Sequence, residues 1–323
     1  MRPTFARFAL VSLTALALAS CFGAPQATAP AAEPVAPQPD PYARMMDDLR
    51  ILSADDMAGR AIGTPGNEAA RNYIVGRLEA MGIAAPAMGR LQPFEATVNG
   101  RDGATRTFNG VNVLGVIPGT RVSDRYIVLT AHYDHEGVKD GQIYNGADDN
   151  ASGVATMLEI AARLKAAPPE HSVLIVALDG EERGLLGARH FVEAPPMPLT
   201  AIAINLNYDM TARAESDNKL WVTGTYQHPN LRPLLEPIPA NGAISLAFGK
   251  DTPEDKGADN WVMASDHGAF HRAGLPFLYF GVNYHPDYHQ PTDDFERITP
   301  SVFISVTELA WSAFQNIDRS LSR

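Results

Sequence analysis

Apolar positions along the 323-residue chain change period several times, and the changes mark its elements. Tyr42 to Leu52 and Asn67 to Met81 carry apolar residues three and four apart, which predicts helices, and Gly82 fits a helix stop. The same spacing covers Gly153 to Ala166, Leu185 to Glu193 and a closing stretch from Ser301 to Ile317. Between them lie short, unbroken apolar runs rich in β-branched residues: Val111 to Ile117, Tyr126 to Ala131, Ser172 to Leu178 and Ala201 to Asn207. Runs without polar alternation read as strands buried on both faces, as in a mostly parallel sheet. Leu220 to Gly224 and Pro276 to Gly281 read as further strands. Strands alternating with helices predict an α/β three-layer sandwich, a mixed and mostly parallel central sheet with helices on both faces. Met88 to Asn109 is polar and mixed, too short for a separate domain, and no internal repeat interrupts the pattern.

Residues 1–41 stand apart. Arg2 and Arg7 precede an apolar stretch from Phe8 to Ala19, the pattern of an export signal. The stretch is shorter than the roughly 20 residues that span a bilayer. It ends in Leu18-Ala19-Ser20-Cys21, which resembles the lipobox of bacterial lipoproteins, and Cys21 is the only cysteine, so no internal disulfide is open to it. The expectation is a signal over 1–21 with Cys21 lipidated and becoming the mature N-terminus. The resemblance, with Phe22 rather than Asp after the cysteine, points to the outer membrane, facing the periplasm; ordinary cleavage to a secreted soluble protein is the rival. Residues 22–41 hold six prolines among alanines and read as an extended tether, leaving 42–323 as a single folded domain. With 26 basic against 37 acidic residues the net charge is −11, and no Lys/Arg stripe is present, which argues against a nucleic-acid partner.

Candidate chemistry collects after the predicted strands, where open α/β sheets place their sites. His132-Tyr133-Asp134-His135 follows one of them; Asp134, two residues on, can accept the ring proton that faces away from a metal and so orient His132. Gly146-Ala147-Asp148-Asp149-Asn150-Ala151-Ser152-Gly153 opens a helix, and its Asp pair alone could be no more than an N-cap. Asp179-Gly180-Glu181-Glu182 follows a buried run. Adjacent glutamates are often a solvated turn, but here one could bind metal while its neighbour takes a proton from metal-bound water. Asp209-Met210 follows another strand, and Tyr284 to Asp293 offers two further histidines, His285 and His289. Imidazoles and carboxylates without cysteine form a ligand set that suits zinc and argue against a structural zinc knuckle.

Together, His132-Tyr133-Asp134, the GADDNASG string from Gly146, the DGEERGLLGARHF string from Asp179 and Tyr288-His289 resemble the co-catalytic zinc aminopeptidases. That family includes bacterial leucyl aminopeptidases and is related to glutaminyl cyclases and to the glutamate carboxypeptidase/transferrin receptor group. The resemblance runs from about Leu52 to the C-terminus and includes Met57-Ala58-Gly59-Arg60 and Gly63-Thr64-Pro65-Gly66. It implies a zinc-exopeptidase fold, peptide substrates and two zinc ions per chain. His132, Asp148 and Asp209 would hold one zinc and Asp148, Glu182 and His289 the other, with Glu181 as general base. It also implies a cis peptide between Asp148 and Asp149. His289 is favoured over His285 because Tyr-His followed by Pro-Thr-Asp fits the family pattern. Met210, beside a ligand, lines a side-chain pocket or simply packs in the core. Ser265-Asp266-His267 also resembles a family segment, without a direct catalytic role being assigned to it. A single-zinc glutaminyl cyclase and a non-catalytic peptide-binding homologue are the competing readings.

Overall fold

The computed structural model describes residues 42–100 and 103–321. The expected signal, Cys21 and the tether lie outside the described residues. The chain begins with α1 (Ala43–Leu52) and α2 (Pro65–Ala80), followed by the strands β1 (Leu91–Asn99), β2 (Thr105–Ile117) and β3 (Val122–His132). A small ribbon, β4 (Gly137–Lys139) with β5 (Gln142–Tyr144), leads to α3 (Gly153–Ala166), β6 (His171–Leu178) and α4 (Leu186–Glu193). Then come β7 (Ile202–Tyr208), β8 (Lys219–Thr223), α5 (Arg232–Leu235), β9 (Ser245–Phe248), α6 (His267–Arg272), β10 (Phe277–Gly281) and α7 (Pro300–Leu321). Eight strands make one sheet in the order β1-β2-β6-β3-β7-β10-β8-β9.

The unbroken apolar runs form strands because both of their faces are covered. In β3, Ile127, Leu129 and Ala131 pack with residues of α1, α2, α3 and α7, while Val128 packs on the other side with Ala188 and Phe191 of α4 and Phe270 of α6. All of β6 is buried. Strand and helix positions expected from the sequence agree with the observed elements to within a few residues, β2 excepted. The mixed stretch from Met88 to Asn109 is a finding the pattern did not give: it forms β1 and the start of β2, an antiparallel edge hairpin. Only alternate residues of β1, Gln92 and Phe94 among them, are buried, so its apolar signal is diluted by a solvated face.

Register sets the site. β3 runs parallel to both β6 and β7, with His132 opposite Leu178 and Thr130 opposite Asn207. β10 runs parallel to β7, with Phe280 opposite Tyr208. The chain therefore leaves four neighbouring strands at the same end of the sheet.

The segment between α1 and α2 locks the loops at that end. Thr64 caps α2 by accepting from the Asn67 amide, with Pro65 at the first turn. Gly66 lies so close to Met57 that a Cβ would stand 1.9 Å from its carbonyl oxygen. Arg60 is fully buried and donates to the carbonyls of Leu52, Tyr133, Asn145 and Gly146 at 2.5–3.0 Å. One guanidinium thus ties the end of α1 to the loop after β3 and to the loop before α3. Replacing Arg60 by Ala strands several buried acceptors at once. The expected loss is roughly 3–5 kcal/mol of unfolding free energy, with Arg60→Lys intermediate because an ammonium cannot reach all four oxygens. Urea melts of the purified variants measure this, and a loss under about 1 kcal/mol for Arg60→Ala would contradict it.

Candidate metal centre

His132 ends β3 with its ring Nδ1 3.1 Å from the carbonyl oxygen of Asp134. Only an N–H can meet a carbonyl there, so the Nε2 lone pair faces inward. Nε2 stands 3.4 Å from Asp149 Oδ1 and 3.4 Å from Asp209 Oδ1. The other oxygen of Asp149, Oδ2, lies 3.0 Å from His289 Nε2, which is 3.4 Å from Glu182 Oε2. Two ligands of one tetrahedral zinc with bonds of 2.0–2.1 Å would be roughly 3.3 Å apart, so these spacings fit. One carboxylate, that of Asp149, faces both groups.

The expectation that Asp148 takes this bridging place is corrected. Asp148 is turned away and saturated: Oδ1 accepts from the Ala212 amide at 2.7 Å and from Ser152 Oγ at 3.1 Å, and Oδ2 meets His285 Nε2 at 3.1 Å. The backbone leaves helical geometry at Asp149 (φ −104°, ψ 93°), one residue after Asp148, and it is Asp149 whose oxygens face His132 and His289. The cis peptide likewise falls one residue later, between Asp149 and Asn150. His285 serves Asp148 and His289 faces the cluster.

Asp134 also differs in its task. Its carboxylate is 3.7 Å from the His132 ring, and it is the backbone carbonyl that holds His132. The carboxylate accepts instead from the amides of Glu181 at 3.0 Å and Glu182 at 3.3 Å, fixing the turn that presents both glutamates. Asp293 does the same for the loop before α3, accepting from the amides of Asp148 and Asp149 at 3.0–3.1 Å. Sequence reasoning assigned nothing to Asp293 or to His135, whose Nδ1 lies 2.7 Å from Glu182 Oε1. The carboxyl group of Asp266 is buried with neither oxygen hydrogen-bonded, and burial, with Asp134 and Asp209 adding against His132, pushes it up to about 8.

The residues fit a metal on the evidence of their own unused atoms. His132 Nε2, His135 Nδ1, Glu182 Oε1 and Asp209 Oδ1 are all buried without a hydrogen-bond partner. Buried polar atoms are normally paired, and a group of unpaired ones brought together in this way suits a cation. The charges agree. Burial lowers His289, but Asp149 and Glu182 outweigh it and push its imidazole up to about 10. Burial and Asp149 raise Glu182, but His135 and His289 hold it at about 2. Burial raises Glu181 well above the usual carboxylate range, against the pull of His132. Imidazoles and carboxylates here share protons in positions where a dication would replace them.

A cavity of about 50 Å³ opens onto the cluster, lined by Asp149, Glu181, Glu182 and Asp209 on one side and by Met210, Tyr279, Tyr284 and Tyr288 on the other. Met210 is buried among core residues and also lines this cavity. Tyr288 stacks on the His289 ring at 3.9 Å, and Tyr284 stands 4.9 Å from Tyr288 and 5.7 Å from Trp261.

Comparison with known proteins follows the same lines. Residues 112–314 match peptidase family M28. Aminopeptidase YwaD of Bacillus subtilis is 30% identical over 202 residues, 58% of this chain and 40% of its own length. The matches cover between 25% and 57% of the length of the curated relatives. Among solved structures, a zinc aminopeptidase from Bacillus subtilis superposes with a TM-score of 0.63 at 18% identity, covering 84% of this chain and 93% of that one. Glutaminyl cyclase of Bacteroides thetaiotaomicron, solved with N-acetylhistamine, gives 0.65 at 19% identity over 87% and 99%. At such identities these two show a shared fold. The match spans most of the sheet and every residue gathered around Asp149, and on it the chain belongs to peptidase family M28.

Proposed function

We propose that this chain is a zinc aminopeptidase that removes N-terminal residues from peptides, with two zinc ions held around Asp149. His132 and Asp209 would complete one position, and Glu182 and His289 the other. The observation that carries the reading is the Asp149 carboxylate, with His132 Nε2 3.4 Å from one oxygen and His289 Nε2 3.0 Å from the other. Zinc is supported by the mixed nitrogen and oxygen donor set and by the names of the relatives.

When bound, such an ion pair polarises a substrate carbonyl and acidifies the attacking water. Glu181 lines the cavity beside the cluster, in a turn whose amides are fixed by Asp134, and would serve as the base for that water. It accepts the proton and returns it to the leaving amine. Cleavage from the end of a chain is favoured by the cavity itself. At about 50 Å³, with Tyr279, Tyr284 and Tyr288 in its lining, it leaves room for little more than a terminal residue. No arginine or lysine lines it among the described residues, which weighs against a carboxypeptidase. The cluster of His132 and Asp209 weighs against a single-zinc cyclase. We further propose that the enzyme is held at the outer membrane, facing the periplasm, through a lipid on Cys21.

Glu181→Gln is expected to keep both zinc ions while turnover of an aminoacyl anilide falls by about 10²–10⁴-fold or more. Near-normal turnover would remove Glu181 from the mechanism, and a wild-type protein without metal or turnover would be a binding homologue. Zinc content separates the two aspartates. Asp149→Asn should drop below one ion per chain while Asp148→Asn retains two, and the reverse result would return the bridging role to Asp148. For the anchor, acyl labelling should vanish in Cys21→Ala, and equal labelling would sink it.

A further inference from the structure

Glu182 lines a second depression besides the cavity over the cluster, and so joins the two. This depression has a volume of about 700 Å³ and lies between Arg183 and the edge hairpin of β1 and β2, which contributes Val98, Arg106 and Phe108. Pleating turns alternate residues of an edge strand to one side. Here Phe94, Ala96 and Val98 share a side, and Val98 and Phe108 pack half-buried beside Ile62, Phe94 and Leu186. The hairpin thus gives the depression an apolar wall.

Its charge is opposite to that of the cavity. Among the described residues Glu182 is the one carboxylate in its lining, and that group is already turned to His135 and His289. Arg106 and Arg183 line it too, in a chain whose net charge is −11. A carboxylate oxygen of Glu136 lies within 4.8 Å of ligand atoms of Glu182 and His289, and Arg183 Nη2 is 3.5 Å from Glu136 Oε2. Two to three residues of extended chain, at about 3.3–3.6 Å each, cover that span. Lys139 Nζ, at 2.6 Å, is the closer partner of Glu136, and 3.5 Å is too long for a hydrogen bond from Arg183. Among the described residues the guanidinium donates no hydrogen bond, and the Arg183 side chain is 35% exposed.

We propose that this depression receives the part of the peptide that leaves, with its terminal carboxylate on Arg183 and the side chain after the cleaved bond against Val98 and Phe108. A guanidinium matches a carboxylate with two parallel N–H donors, so a free chain end is held better there than an amide. Binding energy of this kind, made away from the reacting bond, serves to position that bond. The substrate class that follows is peptides of roughly two to four residues with a free C-terminal carboxylate. This inference deepens the aminopeptidase reading above and rests on it.

The test uses the full chain loaded with Zn²⁺ and the tripeptide X-Gly-Gly, where X is the residue of its best aminoacyl anilide. The tripeptide acid should be cleaved with a kcat/KM roughly 3–10-fold above that of the tripeptide amide, as suits a charge pair at a partly exposed site. A hexapeptide beginning with X should show no such preference, because its carboxylate lies beyond Arg183. Neither measurement needs a variant. Arg183→Gln should bring the tripeptide ratio to about one, and a general loss from disturbing the turn cancels because acid and amide are compared in the same protein. A wild-type ratio below about 3, the same preference in the hexapeptide, or a preference kept in Arg183→Gln would overturn the proposal, while release of X still upholds the aminopeptidase reading. A chain that releases X from neither anilide nor peptide would overturn that reading, and this proposal with it.

Discussion

Asp149 presents its two carboxylate oxygens to two different histidines, and the fold around it is organised by the electrostatic problem this creates. Four carboxylates, those of Asp149, Glu181, Glu182 and Asp209, line one small buried cavity. In a low-dielectric interior, like charges at such range repel strongly. The buried guanidinium of Arg60 feels Asp134, Asp149, Asp293 and Glu182 but spends its donors on four backbone carbonyls. Three histidines face the inner carboxylates and can carry protons only by giving up the lone pairs that point inward. Under the two-ion proposal, the dications would supply four positive charges for four negative ones, which neither protons nor Arg60 provide while leaving the imidazoles neutral.

The carboxylates divide into two sets by what donates to them. Asp134, Asp148 and Asp293 each accept backbone amides, and each thereby holds a loop in shape. Among the described residues no backbone amide donates to the side chains of Asp149, Glu182 or Asp209, and their oxygens are turned to the histidines instead. Holding loops in shape and facing the histidines thus fall to different carboxylates, which in one case, Asp148 and Asp149, are adjacent in sequence.

This division explains what could and could not be read from the chain. The sheet was legible because β3, β6 and β7 are buried on both faces, so their apolar runs need no periodicity to be recognised. The cluster's location at the strand ends followed from the same runs. β1 escaped notice because an edge strand with one wet face and Pro93 within it looks like a loop. Between Asp148 and Asp149 composition offers no guide, since both are aspartates in one string. The choice depends on whether Ala212, Ser152 and His285 capture the first of them, and those partners lie up to 137 residues away. His135 was visible as a letter in the His-Tyr-Asp-His run, but three residues along an extended chain would point it away from His132. Only the bend at the end of β3 returns it to the carboxylates.

The shape of the cleft follows from the position of His289. This histidine has φ +54°, a conformation uncommon outside glycine, and its ring is stacked under Tyr288 at 3.9 Å. The same stack continues through Tyr284 to Trp261, and Tyr284 and Tyr288 line the cavity beside His289. Under the aminopeptidase proposal, a site widened to admit the middle of a polypeptide would need Tyr284 and Tyr288 withdrawn, and the stack ties His289 to that movement, so ligand placement and restriction to chain ends would be coupled.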